Sequence, residues 1–186
     1  GQEDQGALWK QFLSSQTLTI AGELQDASAR LEASGADAEI PRAWATPLDR
    51  LVLIDPNRQA YPLKGDVTDT ALLDAGTLDE VLAGRTAQGL RNLDDDQTLL
   101  VAARPVRLQG GTWALVGARA LDTALQQVDP NGLDEQYSVH FLNPKGHLVA
   151  STGRALWTRL GLTPPVQHAQ YRTLEDGDRI LLLTAT

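Results

Sequence analysis

The sequence predicts an α+β fold: one long N-terminal helix and a series of antiparallel β-hairpins. Three observations lead there. From Gly6 to about Ser34 the apolar residues Trp9, Leu13, Ile20, Leu24, Ala27 and Leu31 recur at spacings of three, four and seven, which gathers them on one helix face. Beyond residue 50, short aliphatic runs come in pairs separated by Pro56-Asn57, Gly110-Gly111, Pro144-Lys145-Gly146 and Asp176-Gly177, residue types that turn a chain between strands. The order strand, strand, helix, strand, strand is then met twice.

Residues 1–5 are polar and expected to fray. The helix that follows meets no proline, is weakened at Gly22 by roughly 1 kcal/mol, and stops at Gly35. At about 29 residues it would be roughly 43 Å long. Such a helix is either a stalk entering from a membrane or a long core helix. Residues 36–50 read as a loop with Pro41, Pro47 and Trp44, the last plugging a core or lining a cleft. Leu51 to Asp55 is a buried-type strand, Pro56-Asn57 a turn, and Gln59 to Leu63 the return strand.

Residues 66–84 read as helical with a break at Gly76, and Thr77 with Glu80 resembles a capping box. Residues 85–97 are polar and read as containing a loop. Leu99 to Leu108 and Thr112 to Ala118 form a hairpin across Gly110-Gly111, and a short helix, Leu121–Val128, follows with Asp122 in its first turn. Asp129 to Gly132 is a turn cluster. Strands are then expected at Tyr137–Asn143, His147–Ser151, Gln170–Leu174 and Arg179–Thr184, with a helix at Arg154–Gly161. Leu53-Ile54-Asp55-Pro56-Asn57 is similar to Phe141-Leu142-Asn143-Pro144-Lys145, 88 residues later (143 minus 55). A duplication and a chance likeness between two hairpins both remain open.

The 186 residues suit one domain or two small ones, and 42% hydrophobic with 22% charged residues is ordinary for a folded chain. A formal net charge of -8 disfavours nucleic acid and anionic membrane surfaces as partners. The absence of cysteine excludes disulfides, thiolate metal sites and a cysteine nucleophile. No run is long enough for a membrane span and no signal peptide is present. With no methionine at position 1, the chain is expected to be a segment of a longer protein. Ile180 to Leu183 runs apolar toward the end, as a core strand or as an approach to a membrane helix.

The apolar strand with its Asp55-Pro56-Asn57 turn, the segment Val101 to Val106 before a hairpin, and the junction Trp113 to Asp122 together resemble the PAS-like extracytoplasmic sensor domains of bacterial receptors, of the Cache and CHASE type. The resemblance spans nearly the whole chain in architecture and is specific over about 25 of its 186 residues. It implies a long helix packed on PAS-like antiparallel sheet, arranged as tandem modules: helix 1–35, a first module 36–128 and a smaller second module 129–186. It further implies a periplasmic or extracellular domain of an inner-membrane receptor (a histidine kinase, cyclic-dinucleotide enzyme or chemoreceptor), with flanking transmembrane helices, that detects a small molecule. A homodimer through the long helix is a further expectation. The rival reading is a protein-interaction domain that senses a periplasmic partner; a hydrolase of unrecognised type is a third.

No GxSxG, HExxH, P-loop or Rossmann fingerprint is present, so no catalytic residue and no cofactor is expected. His140, His147 and His168 are weak metal candidates, as is Asp94-Asp95-Asp96; surface or hydrogen-bonded histidines and a solvated aspartate loop are the expected alternatives. The expected ligand-binding residues are Tyr61, Arg104, Trp113 and Arg119. An arginine with aromatic neighbours receives a carboxylate or another small anion; the alternative is that Arg104 and Arg119 face water. Asn92 and Gln97 are minor polar candidates.

Overall fold

The computed structural model describes residues 2–35, 39–40, 44–65, 72–94, 97–126, 137–143, 147–151, 172–173 and 179–184. In chain order the elements are α1 (Gln2–Ala33), β1 (Arg50–Ile54), β2 (Ala60–Lys64), α2 (Ala75–Leu82), β3 (Ala87–Asp94), β4 (Gln97–Leu108), β5 (Gly111–Ala120), α3 (Leu121–Gln126), β6 (Tyr137–Leu142), β7 (Leu148–Ser151), β8 (Arg172–Thr173) and β9 (Arg179–Thr184). The α+β class expected from the sequence is the observed one: a long N-terminal helix with antiparallel, PAS-like sheet. The expected helix at Arg154–Gly161, the turns at Asp129–Gly132, Pro144–Gly146 and Glu175–Asp178, and His168 lie outside the described residues.

The chain divides into two compact units. One comprises residues 15–91 and 100–119; the other comprises residues 1–14, 92–99 and 120–186. A five-stranded sheet has the order β2-β1-β5-β4-β3, and a four-stranded sheet the order β7-β6-β9-β8.

Ile20, Leu24, Ala27 and Leu31 of α1 are all buried, as their spacing predicts. The helix ends where Gly35 takes a φ of 93°, with Gly35 N–H donating to Glu32 O at 3.2 Å. The face of the five-stranded sheet that meets α1 is identified by Gly117. A Cβ at that position would stand 2.7 Å from Leu48 Cδ1 and 3.0 Å from Leu24 Cδ1. The glycine leaves that space to the Leu48 and Leu24 side-chain ends, which a larger residue would push aside. Leu51 lies opposite Gly117 and Leu53 opposite Leu115, so these four residues share that face. Val52, Ile54, Ala114, Val116 and Ala118 alternate with them and are also buried, so β1 and β5 are covered on both faces. Their near-continuous apolar runs are the signature of that double burial.

Three local expectations are corrected. The cap of α2 is Asp74, whose Oδ1 accepts from Thr77 N–H at 2.7 Å, and Gly76 lies inside the first turn. An aspartate outcompetes a threonine three residues on because its charged oxygen is the stronger acceptor for an orphan helix N–H. The polar stretch 85–97 contains β3, an edge strand whose two leucines, Leu90 and Leu93, are three residues apart and so do not alternate as a strand's apolar face does. The β4–β5 turn is Gln109-Gly110, both with positive φ (50° and 76°), and Gly111 already opens β5. Two left-handed residues make a two-residue turn that matches the strand twist.

In the other unit, β6 pairs with β7 and β9, and α3 packs against β7. Its first hairpin repeats details of the β1–β2 hairpin at the 88-residue offset. Ile54 lies opposite Ala60, and Leu142 opposite Leu148. Asp55 N–H donates to Gln59 O and Asn143 N–H to His147 O, each at 3.0 Å.

Candidate functional site

The first group of expected site residues is built by the β1–β2 hairpin. Asp55, 8% exposed, ends β1. Its Oδ1 accepts from the backbone N–H groups of Asn57 and Gln59, both at 2.9 Å, which closes the turn on itself. Arg58, at φ 69°, donates its N–H to Asp55 O at 2.9 Å and pairs through its guanidinium with Asp79 of α2. The Tyr61 hydroxyl donates to Asp55 Oδ2 at 3.2 Å. Desolvation, followed by the hydrogen bond to Asp55 and its negative charge, holds the Tyr61 phenol above its ordinary pKa.

Tyr61 lies opposite Leu53, which in turn lies opposite Leu115, so Tyr61 shares a sheet face with Trp113, two residues before Leu115. The two rings meet with centroids 5.5 Å apart and planes tilted by 37°. That geometry is in the favourable aromatic range and makes an apolar wall with one polar end.

Arg119 is on the same face of β5 but six residues further on. At about 3.3 Å per residue that is roughly 20 Å from Trp113, too far for one small ligand to touch both. Arg119 is 4% exposed, so it does not face water. Its Nη2 donates to Glu23 Oε2 at 2.8 Å and to Pro47 O at 3.2 Å. A buried cation in an apolar helix–sheet contact needs such partners.

Arg104 is half-buried on β4. Its Nε is buried and has no hydrogen-bond partner among the described residues. An unmatched buried N–H is costly, on the order of 1–3 kcal/mol, and such a group invites an acceptor. The structure thus brings Tyr61 and Trp113 together, commits Arg119 to α1, and leaves Arg104 with donor capacity unused.

The minor candidates separate as well. His140 is fully buried on β6, with Ser151 Oγ at 2.8 Å from its Nδ1. His147 is half-buried and donates its backbone N–H to Asn143 Oδ1 at 2.9 Å. Among the described residues no cluster of three or more His, Cys, Asp or Glu side chains could hold a metal ion. Gln97 is half-buried on β4; the Asn92 and Asp94 side chains and Asp95-Asp96 lie outside the described residues.

Sequence reasoning missed three pairings. Glu23 meets Arg119 across 96 residues. Arg30 of α1 places its guanidinium 4.4 Å over the Trp44 ring, while Trp44 N–H donates to Leu63 O at 3.0 Å, so Trp44 is held between helix and sheet edge. The Glu32 carboxylate accepts from Arg107 N–H at 3.0 Å. One signal was available: Glu23 and Arg30 flank the apolar stripe of α1, where a long side chain reaches back to the sheet.

No protein-family model and no curated protein matches the sequence. Among solved structures, the chain is similar to the ligand-binding domain of the amino acid chemoreceptor PctC of Pseudomonas aeruginosa PAO1, solved in complex with GABA. The identity is 15% and the TM-score 0.46, over 92% of this chain and 91% of that one. It is also similar to the sensory domain of the Campylobacter jejuni chemoreceptor Tlp3 (CcmL), at 11% identity and TM-score 0.44, over 100% and 98% of the two chains. The same domain with isoleucine bound matches at 11% identity and TM-score 0.43, over 97% and 95%. These similar chains are chemoreceptor sensory or ligand-binding domains.

Proposed function

We propose that this chain is the extracytoplasmic sensing domain of a bacterial membrane receptor, a binding domain without catalysis of its own, and that it detects a small anionic or zwitterionic molecule. The observation that carries the reading is the buried, unpartnered Nε of Arg104. A carboxylate would satisfy it with a charge-assisted hydrogen bond. Tyr61 and Trp113 are the proposed apolar wall; Arg119 is left out because Glu23 and Pro47 occupy it. Among the described residues no helix is long and apolar enough to cross a membrane; flanking membrane helices are part of the proposal. An output module, whether kinase, cyclic-dinucleotide enzyme or chemoreceptor signalling domain, is likewise part of the proposal. The matched hydrogen bonds at Asp55 and Asn143 support tandem modules at 36–128 and 129–186.

Binding one conformation better than another is all that a sensor needs to shift its population. The test is thermal denaturation with GABA, isoleucine and acetate as probes, the first two chosen because similar solved domains hold them. Saturation at 100 times Kd stabilises by about 2.7 kcal/mol, a rise of roughly 5–10 °C for a chain of this size. Arg104→Lys keeps the charge but has no Nε, and is expected to abolish the rise. A rise unchanged in Arg104→Lys removes Arg104 from the site. No rise with any probe favours a protein partner.

A further inference from the structure

Among the described residues, the contact between α1 and the five-stranded sheet holds a charge pair whose arginine is buried and whose glutamate is partly exposed. Arg119 enters it from β5 and Glu23 from α1, 2.8 Å apart, with Pro47 O as the second acceptor. A buried ion pair is weak evidence for stability, and fixing a register is its best-attested use. The helix sequence shows that a register has to be fixed here.

The apolar stripe leaves the position of α1 along the sheet ambiguous. The places now filled by Ile20, Leu24, Ala27 and Leu31 accept another set. A slide of seven residues puts Leu13, Thr17, Ile20 and Leu24 there and Ala21 in the place of buried Ser28, so it buries no charge. A slide of four in the other direction is already barred, because it puts Glu32 in the place of Ser28 and runs past the helix end. The charge pair removes the remaining ambiguity. In the seven-residue slide Gln16 replaces Glu23 opposite Arg119, which leaves a buried guanidinium without its anion. The slide of three residues that would bring Asp26 to Arg119 drives Glu23 into the place of Ile20.

We infer that the Glu23–Arg119 pair is the register lock of α1: the pair, and not the apolar stripe, fixes where the helix sits along the five-stranded sheet. The direction of travel is defined by two contacts. Glu23 is tied to Arg119 near the end of β5, and Glu32 to Arg107 N–H near the other end of the β4–β5 hairpin. The helix therefore runs along the hairpin toward its turn. A sheet movement that loosens Arg119 frees α1 to move by whole turns, as bistable packed elements do. Its use in signalling rests on the sensor reading above; the lock itself is tested without any ligand.

The chain has no cysteine, so two introduced cysteines can be spin-labelled cleanly. Gln25 on α1 and Gln59 beside the β1–β2 turn are both exposed and serve as label sites. The parent is expected to give a single interspin distance. Glu23→Leu with Arg119→Met removes both charges, leaves none buried alone, and keeps apolar volume. It is expected to give a second population displaced by about 10 Å, the rise of seven helical residues. Glu23→Gln is expected to give the same second population. A single, parent-like distance in the doubly apolar variant overturns the proposal, whatever its melting temperature, because the stripe alone would then set the register.

Discussion

At the scale of single residues, Asp55 does more than its neighbours. One carboxylate closes the β1–β2 turn through two backbone N–H groups and holds the Tyr61 hydroxyl. Asp55→Ala strands those donors and is expected to cost about 2–4 kcal/mol in urea denaturation. Asp55→Asn is expected to cost only about 1 kcal/mol, because Asn143 accepts from His147 N–H with the same geometry through an amide oxygen. Equal losses in the two variants would show that charge, not the acceptor position, matters. Tyr61 supplies a pH signature. Its folded pKa is raised, so its contribution is complete below the unfolded value of about 10 and is lost as pH rises through the folded value. Tyr61→Phe is therefore expected to flatten the alkaline limb of the stability profile.

At the scale of elements, α1 and α2 owe their positions to different forces. For α1, burial of one stripe holds the helix against the sheet, while its place along the sheet is the part inferred above for the Glu23–Arg119 pair. Leu24→Ala is expected to cost about 2–5 kcal/mol, while Leu18→Ala, at a residue 64% exposed, should stay within about 0.5 kcal/mol. Comparable effects at the two sites would contradict the one-sided packing. For α2 it is the cap. Hydrogen bonding to Thr77 holds the Asp74 carboxyl below its ordinary pKa. A lowered carboxylate pKa means stability present above the unfolded value and lost as pH falls through the folded one. Asp74→Asn keeps an acceptor but does not titrate, so α2 is expected to lose less helix signal on acidification than in the parent.

At the scale of the whole molecule, net charge is the relevant quantity. With -8 at neutral pH the folded chain repels itself. The exposed pairs Arg58–Asp79 and Arg85–Glu80 offset little, at most about 1 kcal/mol each. Added NaCl is thus expected to raise the melting temperature, and a fall would show that screened attractions outweigh the repulsion. Salt should leave the α1 register untouched, because the Arg119 side chain is buried.

The sequence by itself determined the α+β class, most of the elements and the face of α1 that is buried, since periodicity and turn chemistry are local and survive in the linear order. It also marked the Asp55/Asn143 hairpins as similar, through a five-residue likeness that the hydrogen bonds repeat. It missed β3, because its two leucines do not alternate with polar residues, and placed the α2 cap at Thr77 instead of Asp74. Only the tertiary structure decided which expected site residues meet. Tyr61 joins Trp113 because β1 lies between β2 and β5, and Arg119 turns to Glu23 because α1 packs on the Gly117 face of β5. The physical reason is distance along the chain. A charge is satisfied by whatever the strand order and the helix approach bring within about 3 Å, and neither of these leaves a mark in the residues nearby.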